Sequence, residues 1–506
     1  MIAEHFPILV ILTPLLSAIL IPLVGMIRRQ LCWHVAFVAS HIGFLISGWL
    51  LLRVRDTGRI SYWLGGWEPP WGIEYVLDDL NALVLLVISF IAFMSVLYAR
   101  KSIEAEIEPV RIPAFYSIFM LFVTGLMGIV ITGDVFNLYV FLEISSLAGY
   151  ALIAANRKKE ALLASYNYLI LGTIAATFIL IGIGYLYMVT GSLNMADLRE
   201  RLPSLYHSKV VLTAFAFFTV GLSLKLALFP LHVWLPNAYT YAPSVVSAVM
   251  AATATKVGAY VLLRIMFTVF SVEFDLHVVS ITSILLFLSL TAIVAGSVLA
   301  IAQTNIKRML AYSSVGQIGY IVLGATIVNE TAMTGSILHI LNHALMKGTL
   351  FFVAGCVIYK TGIKDISGLK GMARRMPFSM AAFTIAGLSM VGVPLTVGFV
   401  SKWHIALGAI QADMWYLVPV ILLSSLLTAV YFGRVIETIY FSKEPGAKKS
   451  GSGLNEPRGR AGVQEAPFGM LLPTLILAAL CIVFGAAAST SVSYAGAAAR
   501  LLLGGM

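Results

Sequence analysis

The stretch Gly221–Arg264, GLSLKLALFPLHVWLPNAYTYAPSVVSAVMAATATKVGAYVLLR, sets Lys225, His232 and Lys256 in an apolar background that Pro230, Pro236 and Pro243 interrupt. A lysine near the centre of a bilayer costs about 3 kcal/mol on insertion scales, so such residues face a bundle interior or a water path. Each proline removes a backbone donor and loosens the helix around it. Broken backbone at membrane depth is tolerated only where protein buries it or it lines a cavity. Charge and breakage together point to a conduction site. Pro230 follows Lys225 closely and would free the carbonyl of Leu226, placing the lysine beside a local opening. Desolvation favours a neutral amine and a nearby carboxylate favours the ammonium. A lysine exposed alternately to both takes up and releases a proton near neutral pH. Snorkelling to an interface fits poorly after so long an apolar run.

Glu143 lies nine residues beyond Asp134 in DVFNLYVFLEISSLAGY. That is roughly 13.5 Å of helix, close to half of a ~30 Å hydrocarbon core. A carboxylate at that depth must be neutral, paired or hydrated; a structural ion pair with a lysine is compatible with a conducting one. Lys256 sits in TATKVGAY, whose small residues allow close packing, so a buried structural lysine is the alternative there. His339, His343 and Lys347 in LHILNHALMKGTLFF recur at i, i+4, i+8 and share one helical face. HxxxH could ligate zinc, yet no Glu follows the first His and no third ligand is apparent, so a hydrated proton relay is the better reading. Lys402 in GFVSKWHIALG follows Pro394 and is a candidate for one end of the relay, while His404 reads equally as a packing histidine.

These residues need elements to hold them. Of 506 residues, 60% are hydrophobic and 11% charged, against about 25% charged in soluble domains. The mean hydropathy of +0.94 agrees. The chain is therefore expected to be an all-α polytopic membrane protein with fourteen spans, near 6–27, 33–52, 80–99, 113–132, 134–154, 163–189, 210–230, 241–267, 278–303, 306–328, 333–359, 378–407, 415–441 and 468–487. The N-terminal MIAEHFPILV lacks a basic n-region and is expected to begin the first span. The net charge of +10 sits in short loops and reads as topology signal rather than as a nucleic-acid surface. Bases cluster at Arg28/Arg29, Arg100/Lys101, Arg157–Lys159, Lys307/Arg308, Lys360–Arg375 and Lys443–Arg460, on alternate loops. Both termini are thus expected outside the cytoplasm, in a cytoplasmic membrane, although Arg53, Arg55 and Arg59 depart from the pattern. The 60–79 loop, with Trp63, Trp67 and Trp71, reads as ordered and interfacial, and 442–466 as a flexible cytoplasmic loop. Cys32, Cys356 and Cys481 form no CxxC pair, and there is no Walker A motif, no GxGxxG opening a βαβ unit and no haem-like histidine pattern. No cofactor and no metal are expected.

An internal repeat emerges when 164–191 is laid over 335–362 at a constant offset, matching Ser165/Ser336, Gly184/Gly355, Thr190/Thr361 and Gly191/Gly362. Two five-span units follow, spans 4–8 (113–267) and spans 9–13 (278–441), after an N-terminal segment 1–112 and before a C-terminal span in 467–506. Five is odd, so the units run in opposite orientations. Span 7 is broken at Pro230 and span 12 has Pro394. Paired broken helices in inverted halves are a pointer to a transport site.

The motifs VFLEISSLAGYAL, LKLALFPLHVWLPNAY, QTNIKRMLAYSSVGQIGY, LHILNHALMKGTLFF and VGVPLTVGFVSKW resemble the antiporter-like family shared by Mrp cation/proton antiporters, respiratory complex I and membrane-bound hydrogenases. The resemblance covers nearly the whole chain; VFLEISSLAGYAL is most similar to the D-type subunits of Mrp antiporters. It implies that Glu143 pairs with Lys225, that Lys256 and then His339, His343 and Lys347 continue a central axis, and that Lys402 ends it. It also implies partner membrane subunits, protons and a monovalent cation, Na+ or K+, as the transported ions. Redox-driven proton pumping in a complex I-like or hydrogenase complex, and a purely structural subunit, are the alternatives. Asn237 and Asn305 stand where many members have Asp, which puts a proton-entry role at those positions in doubt.

Overall fold

The fold is taken from a computed structural model that describes residues 2–277, 281–442 and 464–504. Helices α1 (Phe6–Ile27), α2 (Leu31–Thr57), α3 (Asp79–Glu106), α4 (Ile112–Ile131), α5 (Val135–Ile153), α6 (Lys159–Thr190) and α7 (Lys209–Leu226) form the first half. Next come α8 (Ser244–Val269), α9 (Ile281–Ile301), α10 (Ile306–Thr326) and α11 (Glu330–Thr361). The rest are α12 (Pro377–Val391), α13 (Val397–Gln411), α14 (Leu417–Tyr440), α15 (Phe468–Ala486) and α16 (Ala488–Leu503). Among the described residues, twelve helices are long and apolar enough to cross a membrane. The other two expected spans are the more polar α10 and the pair α12–α13, two 15-residue halves of a broken helix.

Side-chain caps explain where several helices start. Asp78 accepts from Leu80 and Asn81 backbone N–H groups at α3, Asp134 from Asn137 N at α5, Asn305 from Arg308 N at α10 and Asn329 from Ala332 N at α11. Such caps satisfy orphan donors at a helix start. Burial then sorts the bundle: in α8 and α11, 94% of the apolar window is buried, against 33% in α1 and α14. The two axial helices are the ones that carry Lys256 and His339/His343/Lys347.

The repeat extends beyond the matched helices, at the same offset throughout. Asp134 bridges Asn194 as Asn305 bridges Asp365, so the acid and the amide are exchanged between halves. Val135 N donates to Leu193 O as Ile306 N does to Lys364 O, and Met195 N to Gly133 O as Ile366 N does to Thr304 O. Ser165 Oγ bonds the Tyr150 carbonyl and Ser336 Oγ that of Ile321. Four identities in sequence thus mark a backbone frame copied in detail.

The structure corrects one helix end and adds detail to other expectations. Span 7 was expected to run to residue 230, but α7 ends at Leu226 with Ala227 left-handed at φ 60°, and the chain re-enters a short helix at Trp234–Tyr241. The break therefore starts before Pro230, and Lys225 sits in the last helical turn. The 60–79 loop contains an antiparallel hairpin, β1 (Ile60–Trp63) on β2 (Glu74–Leu77), too short for a period-two pattern to declare itself. Helix α16, rich in alanine and serine, lacks the hydropathy of a span yet packs on α3 and α11. Most of the 442–466 loop, residues 443–463, lies outside the described residues. Glu465, at the end of that loop, accepts from Phe378 N, Ser379 N and Ser379 Oγ, capping α12.

Candidate functional site

Burial selects the site. Lys225 and Lys402 are 9% and 5% exposed, Lys256 is 1% exposed, and His339, His343 and Lys347 are fully buried. Burying so many ionisable groups without bonds would be prohibitive; what each one meets defines its chemistry.

Lys225 Nζ lies 3.6 Å from Glu143 Oε1 and donates to Ser146 Oγ at 2.8 Å. Glu143 and Ser146 occupy neighbouring turns of α5. The Glu143 side chain keeps 26% of its surface exposed, so this pair stands at the edge of the chain and not at its centre. Trp234 Nε1 donates to the Leu224 carbonyl, closing one of the acceptors left by the end of α7. Between Lys225 and α8 lies a cavity of about 40 Å³, lined by Ser145, Ser146, Tyr168, Ala254 and Gly258 among others.

On α8 the backbone widens into a π-helix at Met250–Ala254. Such bulges leave carbonyls short of their usual partners and occur often at functional sites. Lys256 Nζ uses one of them, donating to Ala251 O and reaching Thr255 Oγ1 at 3.4 Å. On α11, Lys347 Nζ donates to the Leu310 carbonyl at 2.7 Å and to Ser313 Oγ at 2.5 Å, both on α10. His343 stacks on His339 with ring centroids 5.8 Å apart, and among the described residues neither of its ring nitrogens has a hydrogen-bond partner. His339 is held at both ends, Nε2 against Gln317 Oε1 at 3.0 Å and Nδ1 against Ser401 Oγ at 2.8 Å. In the neutral ring one nitrogen donates and the other accepts, which suits Gln317 as acceptor and the Ser401 hydroxyl as donor.

The far end lies at the second broken helix. Gly392 closes α12 at φ 93°, a conformation that glycine takes without steric cost. A Cβ on Gly398 would stand 1.8 Å from the Ser389 carbonyl, so the two half-helices meet too closely for any side chain there. Lys402 on α13 turns back across this break and donates to Met390 O at 2.9 Å, Val391 O at 3.1 Å and Ser425 Oγ at 3.2 Å. Its amine also stands 4.8 Å from the Tyr320 ring, and that ring lies 5.6 Å from the His339 ring. Tyr320 thus lies between the imidazole and the terminal lysine.

The structure therefore brings Glu143 to Lys225, His343 to His339, and Tyr320 to both His339 and Lys402. It separates other predicted residues from that line. His404 bonds its own helix through the Val400 carbonyl at 2.8 Å. His232, in the segment after α7, stacks on Phe229 at 5.1 Å with Nδ1 unpartnered. Pro230 and Pro394 occupy the segments after the ends of α7 and α12. Asn305 serves as a cap, and Asn237 is half-buried in the short helix after the α7 break. Sequence reasoning passed over Ser146, Ser313, Gln317, Tyr320, Ser401 and Ser425. Ser313 and Gln317 were findable, being polar, one turn apart and inside an otherwise apolar helix.

Residues 132–428 match a family described as NADH:quinone oxidoreductase/Mrp antiporter, transmembrane. The chain is 46% identical to NADH-quinone oxidoreductase subunit N of Desulforudis audaxviator over 95% of each protein. It is 31% identical to the D subunit of the Na(+)/H(+) antiporter of Bacillus subtilis over 99% of this chain and 97% of that one. Among solved structures it superposes on a chain of the membrane-bound sulfane sulfur reductase, an archaeal respiratory membrane complex, with TM-score 0.89, 32% identity and coverage of 98% and 97%. A chain of the Mrp complex from Dietzia sp. shares the fold at TM-score 0.88 and 23% identity, over 99% of this chain and 98% of that one.

Proposed function

The chain belongs to the NADH:quinone oxidoreductase/Mrp antiporter transmembrane family as an antiporter-like multi-pass membrane subunit, and on that premise we propose that it conducts protons along Glu143, Lys225, Lys256, the His339/His343/Lys347 face of α11 and Lys402. The observation that carries this reading is the Glu143–Lys225 pair at the broken end of α7. With the carboxylate charged and close, the ammonium is favoured; with the two apart, desolvation drives the proton off the amine. The cavity of about 40 Å³ beside Lys225 holds roughly one water, enough to hand a proton toward α8. His343, with no hydrogen-bond partner for either nitrogen among the described residues, is the member of the axis best placed to take and pass on a proton.

The similar structures are chains of multisubunit complexes. The partly exposed Glu143 would gain a dry environment from a neighbouring membrane subunit. In the first reading that assembly is an Mrp-type antiporter, exchanging Na+ or K+ for protons with both termini outside the cytoplasm. In the second, a redox reaction elsewhere in the complex drives the same relay; the 46% identity to a protein named NADH-quinone oxidoreductase subunit N favours it. Purifying the complex and identifying its other subunits separates these two: small Mrp-type membrane subunits for the first, iron–sulfur proteins for the second. Proton transport in vesicles containing the assembled complex tests the relay itself. Lys225→Ala or Glu143→Gln is expected to lower it about a hundredfold at normal assembly, and unchanged transport sinks the proposal.

A further inference from the structure

Helix α8 continues past Lys256 with two more polar residues on the same face, Tyr260 and Arg264, at i+4 and i+8. The Tyr260 hydroxyl donates to the Val130 carbonyl at 2.8 Å and accepts from Arg264 Nε at 3.0 Å. Arg264 is 5% exposed, and its Nη2 lies 2.5 Å from Asp78 Oδ1 on the cap of α3. Beyond this pair lies a cavity of about 90 Å³, lined by Glu74, Asp78, Thr132, Ala196, Arg264 and Thr268 among others. Glu74, on β2, is 6% exposed and binds Ser61 Oγ and Asn194 Nδ2. It also lies 3.7 Å from Arg59, whose side chain is half in solvent. Polar groups therefore follow one another from Tyr260, one turn beyond Lys256, to the rim of the bundle at the hairpin.

A static explanation is that Asp78 caps α3 and Arg264 balances its charge. The cap alone does not require it: asparagine caps a helix as well as aspartate does, so an uncharged residue would serve without bringing an arginine into the span. A desolvated arginine in a span marks an ion path by default. A cavity of about 90 Å³ has room for about three waters. Among the described residues the second repeat builds nothing similar. On α14, the counterpart of α8, Arg434 is exposed and bonds the carbonyls of Ile301 and Gln303.

Resting on the proton-relay reading above, we infer that Tyr260, Arg264, Asp78 and Glu74 form a second mouth of the relay, joining Lys256 to the water at the hairpin end of the bundle with the Arg264–Asp78 pair as its gate. Protons pass through the cavity water between Asp78 and Glu74, and the pair must open for each passage. The positive-inside pattern puts this end outside the cytoplasm.

The test uses the assembled complex in vesicles. The double variant Asp78→Asn with Arg264→Gln keeps the cap and a hydrogen bond across the pair but removes both charges. Proton transport is expected to fall about tenfold at normal recovery of the complex; transport within twofold of wild type overturns the mouth. A second arm does not depend on that variant's folding. Ala196→Cys, at the cavity wall, is expected to transport normally until a membrane-impermeant cationic thiol reagent is added at the hairpin side, and then to slow several-fold. The native cysteines are all buried, so the wild type is the unreactive control. Transport unaffected by the reagent after complete labelling also overturns the proposal. Lys225→Ala is measured alongside: if it lowers transport about a hundredfold while both arms fail, the relay stands and only this mouth is wrong.

Discussion

In the first repeat Lys225 ends the half-helix α7 with its amine 3.6 Å from the Glu143 carboxylate, whereas in the second Lys402 lies past the break and returns its amine to the carbonyls of Met390 and Val391. Both arrangements satisfy a buried ammonium at the end of a half-helix. They differ in what can change. A carboxylate can gain a proton, move away or be screened by a neighbour, and each event alters the lysine. The last carbonyls of α12 carry only the fixed partial charge of a helix C-terminus. The first repeat therefore holds a switch and the second a constant acceptor. The middle helices differ in the opposite sense: the positions of His339, His343 and Lys347 on α11 correspond, at the repeat's own offset, to Tyr168, Gly172 and Ala176 on α6. One copy of the frame carries the switch and Lys256, the other the His339/His343/Lys347 stretch of the axis.

The strongest way to break this comparison is to remove the two lysines in turn. Lys225→Ala is expected to lower proton transport about a hundredfold and Lys402→Ala about tenfold, a difference of roughly 1.4 kcal/mol in the transport barrier. Equal losses, measured as initial rates of vesicle acidification, would show that a switchable partner confers nothing special. Next in size comes converting one site toward the other. Ser425 Oγ lies 3.2 Å from Lys402 Nζ, so Ser425→Asp places a carboxylate at the second break. An opposite charge that close favours the ammonium strongly, and release from Lys402 should slow about tenfold. Faster or unchanged turnover would count against Lys402 as a releasing group.

A smaller effect is expected from the clamp on His339. Gln317→Leu deletes the acceptor at Nε2 while keeping an apolar side chain of similar reach. Losing one buried hydrogen bond is worth about 1 kcal/mol, so transport should drop about fivefold. Retention of full rate would mean that the orientation of His339 is irrelevant to the relay.

How much of this was legible in the chain follows from range. Apolar runs and buried charges are local signals, so the spans and the lysines, Glu143 and the histidine pair could be read directly from the sequence. Partners are not local. The bond from Lys347 to Ser313 joins residues far apart in sequence: Ser313 stands out as a polar residue in its helix, but nothing around it names Lys347 as its partner. Helix ends failed for a different reason: Pro230 advertised a break, but Ala227 makes it, in a left-handed conformation that an alanine does not announce. The Asp134–Asn194 and Asn305–Asp365 bridges show the converse case, in which structure recovers a repeat that sequence had nearly erased. The exchange also bears on Asn305, whose amide stands opposite an aspartate contributed by the loop after α11.

The smallest effect separates position from participation. His404 is two residues from Lys402, carries a ring suited to proton transfer, and is half-buried. Its Nδ1 donates to the Val400 carbonyl in its own helix at 2.8 Å, which anchors the ring to α13. A ring so anchored adds packing to α13, and Gly335 approaches its Cβ closely, at 3.0 Å from where a glycine-borne Cβ would stand. His404→Gln preserves much of that volume and removes the imidazole. Transport within twofold of wild type is the expected result, with any loss of complex stability read separately from its thermal midpoint. A tenfold loss at unchanged stability would move the end of the relay from the amine that faces the break to the ring one helical step beyond it, and the contrast between the two repeats would then have to be drawn around His404.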